Sequence, residues 1–470
     1  MVGDPALLRS VATQRGEWVA QTNSELTVRD VAVDPRSIPA DVDVLVFAGE
    51  RLGDLVDAQV LLALPESLVA PPAAAATDGD SPASGKQPTE VADPLRFAEV
   101  APGFRDQVSR YGPLRYGLPI GGSGLVLAFH RSAFTNPALV EAARAAGVTL
   151  APPRLWTDLD ALARFLNGRD IDGDGQADHG LAVAWGADPE GVGDATLLAR
   201  VAGLALHPDQ FSFLLDSETT EPRVTSPPFV EALQAMVDLK AAGPPGCEKF
   251  DAPAARAAFK TGRAAMLIDR AEAASTWGTG RDPIGVAPLP GSARVFDPSR
   301  AAWDHPSVPN QPSYLPSGGG WLVGIAAKTT HRPAAEGFAR YLASPETTDR
   351  LRAERAFPML AVRTPQLVQG MANPRSSPGV ETRPWADAVA RTLTAEKVVP
   401  GLRIPGATGY LADLTAARVA AVEGAPVPDA LARLAEAWTA RTKSLGAARQ
   451  TWHHRRSLNG PTTASEPPPR

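Results

Sequence analysis

Apolar positions in this chain recur by turns at helical and at strand spacing, the pattern of a layered α/β protein. Near the start, Leu7, Leu8, Val11, Trp18 and Val19 share one face of a predicted helix, with Asp4 placed as its cap and Pro5 as its first residue. Glu25 to Arg29 alternates as a strand does, and Asp43-Val-Leu-Val-Phe47 is the short apolar run of a buried parallel strand. Tyr116-Gly-Leu-Pro119 leads into a second such run, Gly124-Leu-Val-Leu-Ala-Phe129. Trp156-Thr-Asp-Leu-Asp160 predicts a helix capped by Thr157 with Asp160 three residues on, and Leu159, Leu162, Phe165 and Leu166 form its apolar face. Further along, Gly318-Gly-Gly-Trp321-Leu-Val-Gly-Ile-Ala-Ala327 runs a glycine triplet into a strand. Phe338, Tyr341 and Leu342 mark the helix that follows, and Ser344-Pro345-Glu346 closes it and opens another. Two stretches break the pattern. Residues 70–93, rich in Pro, Ala, Ser, Gly and Asp, predict a flexible surface insertion, and after Gln450 the periodicity fades into an expected disordered tail over 451–470. His453 and His454 are read as tail residues rather than as a metal site.

A chain of 470 residues exceeds what one core usually supports, so two lobes are expected. A formal charge of −6 without a dense Lys/Arg face argues against nucleic acid and anionic membrane as partners. Cys247 is the one cysteine, which rules out an internal disulfide, and with no activating base nearby it reads as a passive thiol. No window has the form of a signal segment or a membrane span.

Four motifs then stand in order: Ala258-Phe-Lys-Thr-Gly262-Arg-Ala-Ala-Met266-Leu-Ile268, Ile284-Gly-Val-Ala-Pro-Leu-Pro-Gly291, the Gly318–Ala327 strand with its helix, and Ala356-Phe-Pro358-Met-Leu-Ala361. Together they resemble the extracellular solute-binding proteins of ABC importers, in the sugar- and maltose-binding group called family 1. The resemblance implies an α/β, two-lobed periplasmic-binding-protein fold of type II, maltose-binding-protein-like. Lobe I would take residues 1–125 and return over 318–363, and lobe II would take 126–317 with C-terminal helices over 364–450. Three crossings would form the hinge. It implies a monomeric receptor rather than an enzyme, one that needs no cofactor and delivers a small solute, a mono- or oligosaccharide, to the transmembrane subunits of an ABC permease. It implies a periplasmic or cell-surface location, as a free protein or a lipoprotein. A first strand and an export signal would precede Val2-Gly3, so the expected true start lies upstream, or a signal has been removed. Two other readings remain beside it: the same fold turned to signalling or adhesion, and a secreted carbohydrate-active enzyme using Glu50 and Asp269 as acid and base.

In open α/β sheets ligands bind beyond the carboxyl ends of strands, which selects the Ala48–Arg51 loop. Phe47-Ala-Gly-Glu-Arg-Leu-Gly53 also resembles a maltose-binding loop, and by that likeness Glu50 and Arg51 would hydrogen-bond sugar hydroxyls. A surface ion pair or a helix-start charge is the alternative. By the same likeness Asp4 aligns with a second sugar-contacting carboxylate, while Ser123 stands where maltose-type proteins carry a glutamate. Aromatic rings stack on sugar faces, so Trp185, Trp277 (just beyond Asp269), Trp303, Tyr314 and Tyr410 are candidates for the cleft, each with a core or hinge role as its alternative. Trp321, within a strand, is read as packing.

Asp170-Ile-Asp172-Gly-Asp174-Gly175-Gln176-Ala-Asp178 places carboxylates at alternate positions with glycine sixth, a pattern that wraps oxygens around a hard cation. The carbonyl of Gln176 adds a ligand. The twelfth place is Leu181, so this is no EF-hand switch, and Asp188 or Glu190 would have to complete it. A structural calcium or a solvated acidic turn are the two readings.

Overall fold

The computed structural model describes residues 5–31, 34–70, 93, 95–208, 210, 212–280, 282–354, 359–368, 378–460 and 467–468. Two sheets organise it. In chain order their strands are β1 Val44–Ala48, β2 Leu118–Gly122, β3 Leu125–His130, β4 His179–Ala182, β5 Ala264–Arg270, β6 Ile284–Pro288 and β7 Gly320–Ile325. The first sheet has the order β1–β7–β2 and is antiparallel throughout. The second has the order β4–β5–β3–β6, with β4 and β5 parallel and the other neighbours antiparallel.

Three connections pass between the sheets. Ser123-Gly124 alone joins β2 to β3, and the segment after β6 returns the chain to β7. The third begins at Leu360, bridged to Gly122 of the first sheet, and ends at Val380, bridged to Ile284 of the second.

Each sheet forms because its strands are apolar on both faces and covered on both. Leu45, Val46 and Phe47 of β1 and Leu322, Val323 and Ile325 of β7 are buried in one core. The helix Arg332–Ala343 packs Ala335, Phe338, Ala339 and Leu342 over them, and Trp18 meets the Phe338 ring edge-on at 5.1 Å. In the second sheet all six residues of β3 are buried. Beside it the helix Val192–Ala205 is buried along its whole length, between the helices Pro227–Leu239 and Ala407–Val422. Its two charged residues are paired: Asp194 accepts from Arg418 Nε at 2.6 Å, and Arg200 holds the Asp160 carboxylate.

Several sequence expectations need correction. The N-terminal helix is two helices, Pro5–Ala12 and Arg15–Thr22. Glu25 to Arg29 forms no strand; Leu26 and Val28 pack on the first core without a partner strand, and Arg29 pairs with Asp41. β1 is antiparallel to its neighbour, because burial on both faces yields the same apolar run whatever the direction. The helix Trp156–Leu166 starts two residues earlier than expected: the cap is Leu155, Asp158 rather than Asp160 accepts from its N–H at 3.2 Å, and Thr157 is no cap. The expected disordered tail is in part a helix, Ala447–Ser457, with Trp452, His453 and His454 buried. Its polar residues hide the pattern because their burial is met by hydrogen bonds rather than by apolar neighbours. Asp4 and positions 71–92 of the expected insertion lie outside the described residues. Among the described residues no helix is long and apolar enough to cross a membrane.

Candidate functional site

A cavity of about 770 Å³ lies where the ends of the two sheets face each other. The first sheet contributes Glu50, just past β1, and Trp321 at the start of β7, with Ser317 and Gly318 between them. Trp321 stands opposite Ala48 in the ladder, so the glycine triplet and the Glu50 loop are neighbours. Their backbones touch: a Cβ on Gly318, whose φ is +68°, would meet the Glu50 nitrogen at 2.1 Å, and one on Gly49 would meet the Gly318 oxygen at 2.3 Å. Only glycine permits both the conformation and the approach. The triplet therefore sets where Glu50 points.

The second half contributes Glu190, Asp194, Arg256, Arg270 and Glu272, and Tyr314, Thr408 and Thr415 complete the wall. Most of these groups are committed to one another. Arg256 Nε donates to Asp269 at 2.7 Å and its Nη1 and Nη2 donate to Glu190 at 2.8 and 2.6 Å. Arg270 Nη1 donates to Ser123 and Ser317 at 3.3 and 3.2 Å, and Nη2 donates to the Glu190 carbonyl. Glu272 accepts from the Ser123 hydroxyl and from the Gly124 N–H at 3.4 Å. This network binds β5 to the short link between the sheets.

Three polar side chains on the wall are not committed, the exposed Ser275 hydroxyl being one of them. Among the described residues the Glu50 carboxylate and the Tyr314 hydroxyl have no hydrogen-bond or ion-pair partner. Burial raises the Glu50 carboxyl above its ordinary value, while Arg270 and Arg51 pull the other way. Burial likewise raises the Tyr314 hydroxyl, with Glu50 and Asp194 adding to the effect.

The other expected site residues are placed elsewhere. Arg51 turns to Asp54 at 3.1 Å and to the Thr408 hydroxyl at 3.2 Å, so its guanidinium serves the loop. Phe47 is fully buried in the first core. Ser123 is buried behind Arg270 and Glu272 and reaches the cavity only through them. Trp185 is a core residue whose indole donates to the Met236 carbonyl at 3.1 Å. Trp277 is equally buried, and its indole donates to Asp269 at 2.7 Å, so Asp269 is sealed between Trp277 and Arg256. Trp303 packs on Phe296 under Arg294, away from the cavity. Tyr410 is buried against Trp438 and bonded to Thr442. Of the expected aromatics only Tyr314 reaches the wall; Trp321, read as packing, reaches it too. Sequence reasoning missed Asp194, Arg256, Arg270 and Glu272. A signal existed for the last two, since they directly follow the Gly262–Ile268 motif.

The aspartate loop holds together as a turn. Carboxylate oxygens of Asp170, Asp172 and Asp174 lie within 4.8 Å of one another. Asp170 accepts from the N–H groups of Gly173 and Gly175, Asp174 from that of Gln176, and the buried Asp178 from that of Ile171. Asp188 does not join them: it caps Val192 at 2.7 Å, and Glu190 is held by Arg256.

The family model described as bacterial extracellular solute-binding protein matches residues 37–349. The chain belongs to that family. No curated protein matches the sequence of this solute-binding protein, but solved structures share its fold. A cyclo/maltodextrin-binding protein complexed with maltotetraose is 16% identical with a TM-score of 0.61, covering 94% of this chain and 96% of its own. An ABC transporter solute-binding protein from Agrobacterium radiobacter K84 in complex with ribitol is 17% identical with a TM-score of 0.62, over 93% and 96% of the two chains. Another from Agrobacterium vitis S4, with bound D-mannitol, is 18% identical with a TM-score of 0.61, over 95% and 97%. The solute-binding protein thus has the maltose-binding-protein-like fold.

Proposed function

We propose that this solute-binding protein captures a polyhydroxylated small molecule, a sugar or polyol, in the cavity between its sheets and presents it to an ABC permease on the outer face of a membrane. The observation that carries the reading is the pairing of an uncommitted carboxylate and hydroxyl, Glu50 and Tyr314, with the Trp321 and Tyr314 rings on one wall. Sugars and polyols need acceptors for their hydroxyls and flat apolar surface for their C–H faces, and the cavity offers both. Fold relatives bound to maltotetraose, ribitol and D-mannitol support the same ligand class. Two lobes, each built on one sheet, would close on the solute about the three connections, and the closed form would be what the permease recognises. An acid/base pair of Glu50 and Asp269 has no support, since Asp269 is sealed between Arg256 and Trp277. The Asp170–Asp178 loop, by its oxygen-rich geometry, would hold one structural calcium. Thermal-shift screening with a sugar and polyol panel tests the main reading, because a bound ligand raises the melting temperature. Small-angle scattering with the best hit should show contraction. A panel that leaves the melting curve unmoved counts against it.

A further inference from the structure

The charge inventory of the cavity narrows the solute class, given the sugar and polyol reading above. Five carboxylates line it (Glu50, Asp188, Glu190, Asp194 and Glu272) against two guanidiniums, Arg256 and Arg270. Both guanidiniums are already engaged: Arg256 is held by two carboxylates, and Arg270 donates to two hydroxyls and a carbonyl. Asp194 is neutralised from behind by Arg418, and Asp188 by three backbone N–H groups. The charged group that remains open to a ligand is therefore a carboxylate. The half-buried Glu50 carboxylate shares the wall with Tyr314 and Trp321, with no cation among the described residues in direct contact and with Arg270 and Arg51 acting on it only from further off.

Such a site repels carboxylate and phosphate solutes, since it gives them no free cation and adds like charge. A neutral hydroxyl would satisfy one lone pair of Glu50 but leave its charge without a direct partner, the nearby guanidiniums being engaged elsewhere. An ammonium group satisfies both needs, and its charge also gains from nearby aromatic faces. We infer that the preferred solute is a sugar or polyol bearing one protonated amine, held through an ion pair to Glu50 while its hydroxyls meet Tyr314 and the surrounding polar wall.

Matched ligands test this by titration calorimetry on the intact chain: glucosamine, glucose and N-acetylglucosamine, with D-mannitol and 1-amino-1-deoxymannitol as an open-chain pair. The expected result is binding of the amine-bearing member of each set at least tenfold tighter than its neutral partners. Glu50→Gln, which keeps the shape and removes the charge, should bring the ratio close to one while an unchanged melting temperature shows the fold intact. Tyr314→Phe should weaken charged and neutral members alike and so preserve the ratio. Neutral members binding as tightly as the amines, or a preference that survives Glu50→Gln, would overturn the inference and leave the sugar reading standing. Failure of every member to bind would remove both.

Discussion

The Tyr111 hydroxyl lies 3.0 Å from Nδ1 of His453 and 3.0 Å from its carbonyl oxygen, joining positions 342 residues apart inside the protein. On its other side the same imidazole meets Asp57 at 2.8 Å, and Arg449 also reaches that carboxylate. Burial would push the Asp57 carboxyl up, yet hydrogen bonds from His453 and Arg449 hold it well below the usual carboxylate range. The final helix is thus fastened by polar bonds.

Stability should depend on pH through the adjacent histidine. Burial lowers the His454 imidazole to about 4 from 6.5, although the Leu215 carbonyl accepting at 3.3 Å opposes the shift. Between those values the unfolded chain binds the extra proton and the folded one does not. The stability contribution is therefore complete above about pH 6.5 and is lost as pH falls toward about 4, amounting to roughly 3 kcal/mol. Urea midpoints across this window should fall less steeply in His454→Gln than in the parent. Parallel slopes would show that His454 does not titrate this way.

Affinity and stability should separate by residue. Trp185→Ala and Trp277→Ala remove fully buried rings and should each cost about 3–5 kcal/mol of stability. Glu50→Gln and Tyr314→Phe touch the cavity wall and should leave stability within about 0.5 kcal/mol while weakening solute binding by about 1–3 kcal/mol. Denaturation and calorimetry on the four variants check the division. A tryptophan variant that stays stable but binds poorly would reverse it.

Calcium should raise the melting temperature and a chelator should lower it, because the loop carboxylates repel one another when no cation sits between them. Asp172→Asn with Asp174→Asn should abolish the response. A melting curve indifferent to both additions identifies the loop as a solvated turn.

The Arg418–Asp194 pair offers a sharper test of the core. Arg418 is fully buried and also donates to the carbonyls of Trp185 at 2.5 Å and Gly186 at 3.0 Å. Arg418→Met should cost about 3–5 kcal/mol by stranding the Asp194 charge. Adding Asp194→Asn should recover part of that loss, which a double-mutant cycle would reveal. Strict additivity would mean that the two residues act independently.

β1, β3 and the strand after the Gly318–Gly320 triplet were legible because each is a short, mostly apolar run, whereas β2, β4 and β5 carry glycine, proline, histidine or charge within them. Glu50 was legible from its position after a strand. The tryptophans misled, because residue type says nothing about which side of a sheet a ring ends on; Trp185 and Trp277 each found an internal acceptor and went inward. Arg256 was invisible, and Arg270 was flagged only by its place just after a motif, for a related reason. Their roles depend on Glu190, Asp269, Ser123 and Ser317, brought near only by tertiary folding. The last helix failed the periodicity test since its inward face is Gln450, His453, His454 and Arg456, polar groups that only folding satisfies.

That helix holds both cores at once. Tyr111 and Asp57 grip it beside the first sheet, while the carbonyls of Leu215 and Ser217, beside the second core, accept from His454 and Arg455. Asp57 and Leu215 are consequently held across one turn of an 11-residue helix, at the neighbouring His453 and His454. Any motion that widens the cavity mouth while these bonds persist has to swing around that helix like a door on its post. The travel of each wall then grows with its distance from Ala447–Ser457, and cutting the helix loose would turn a one-axis swing into an unguided separation.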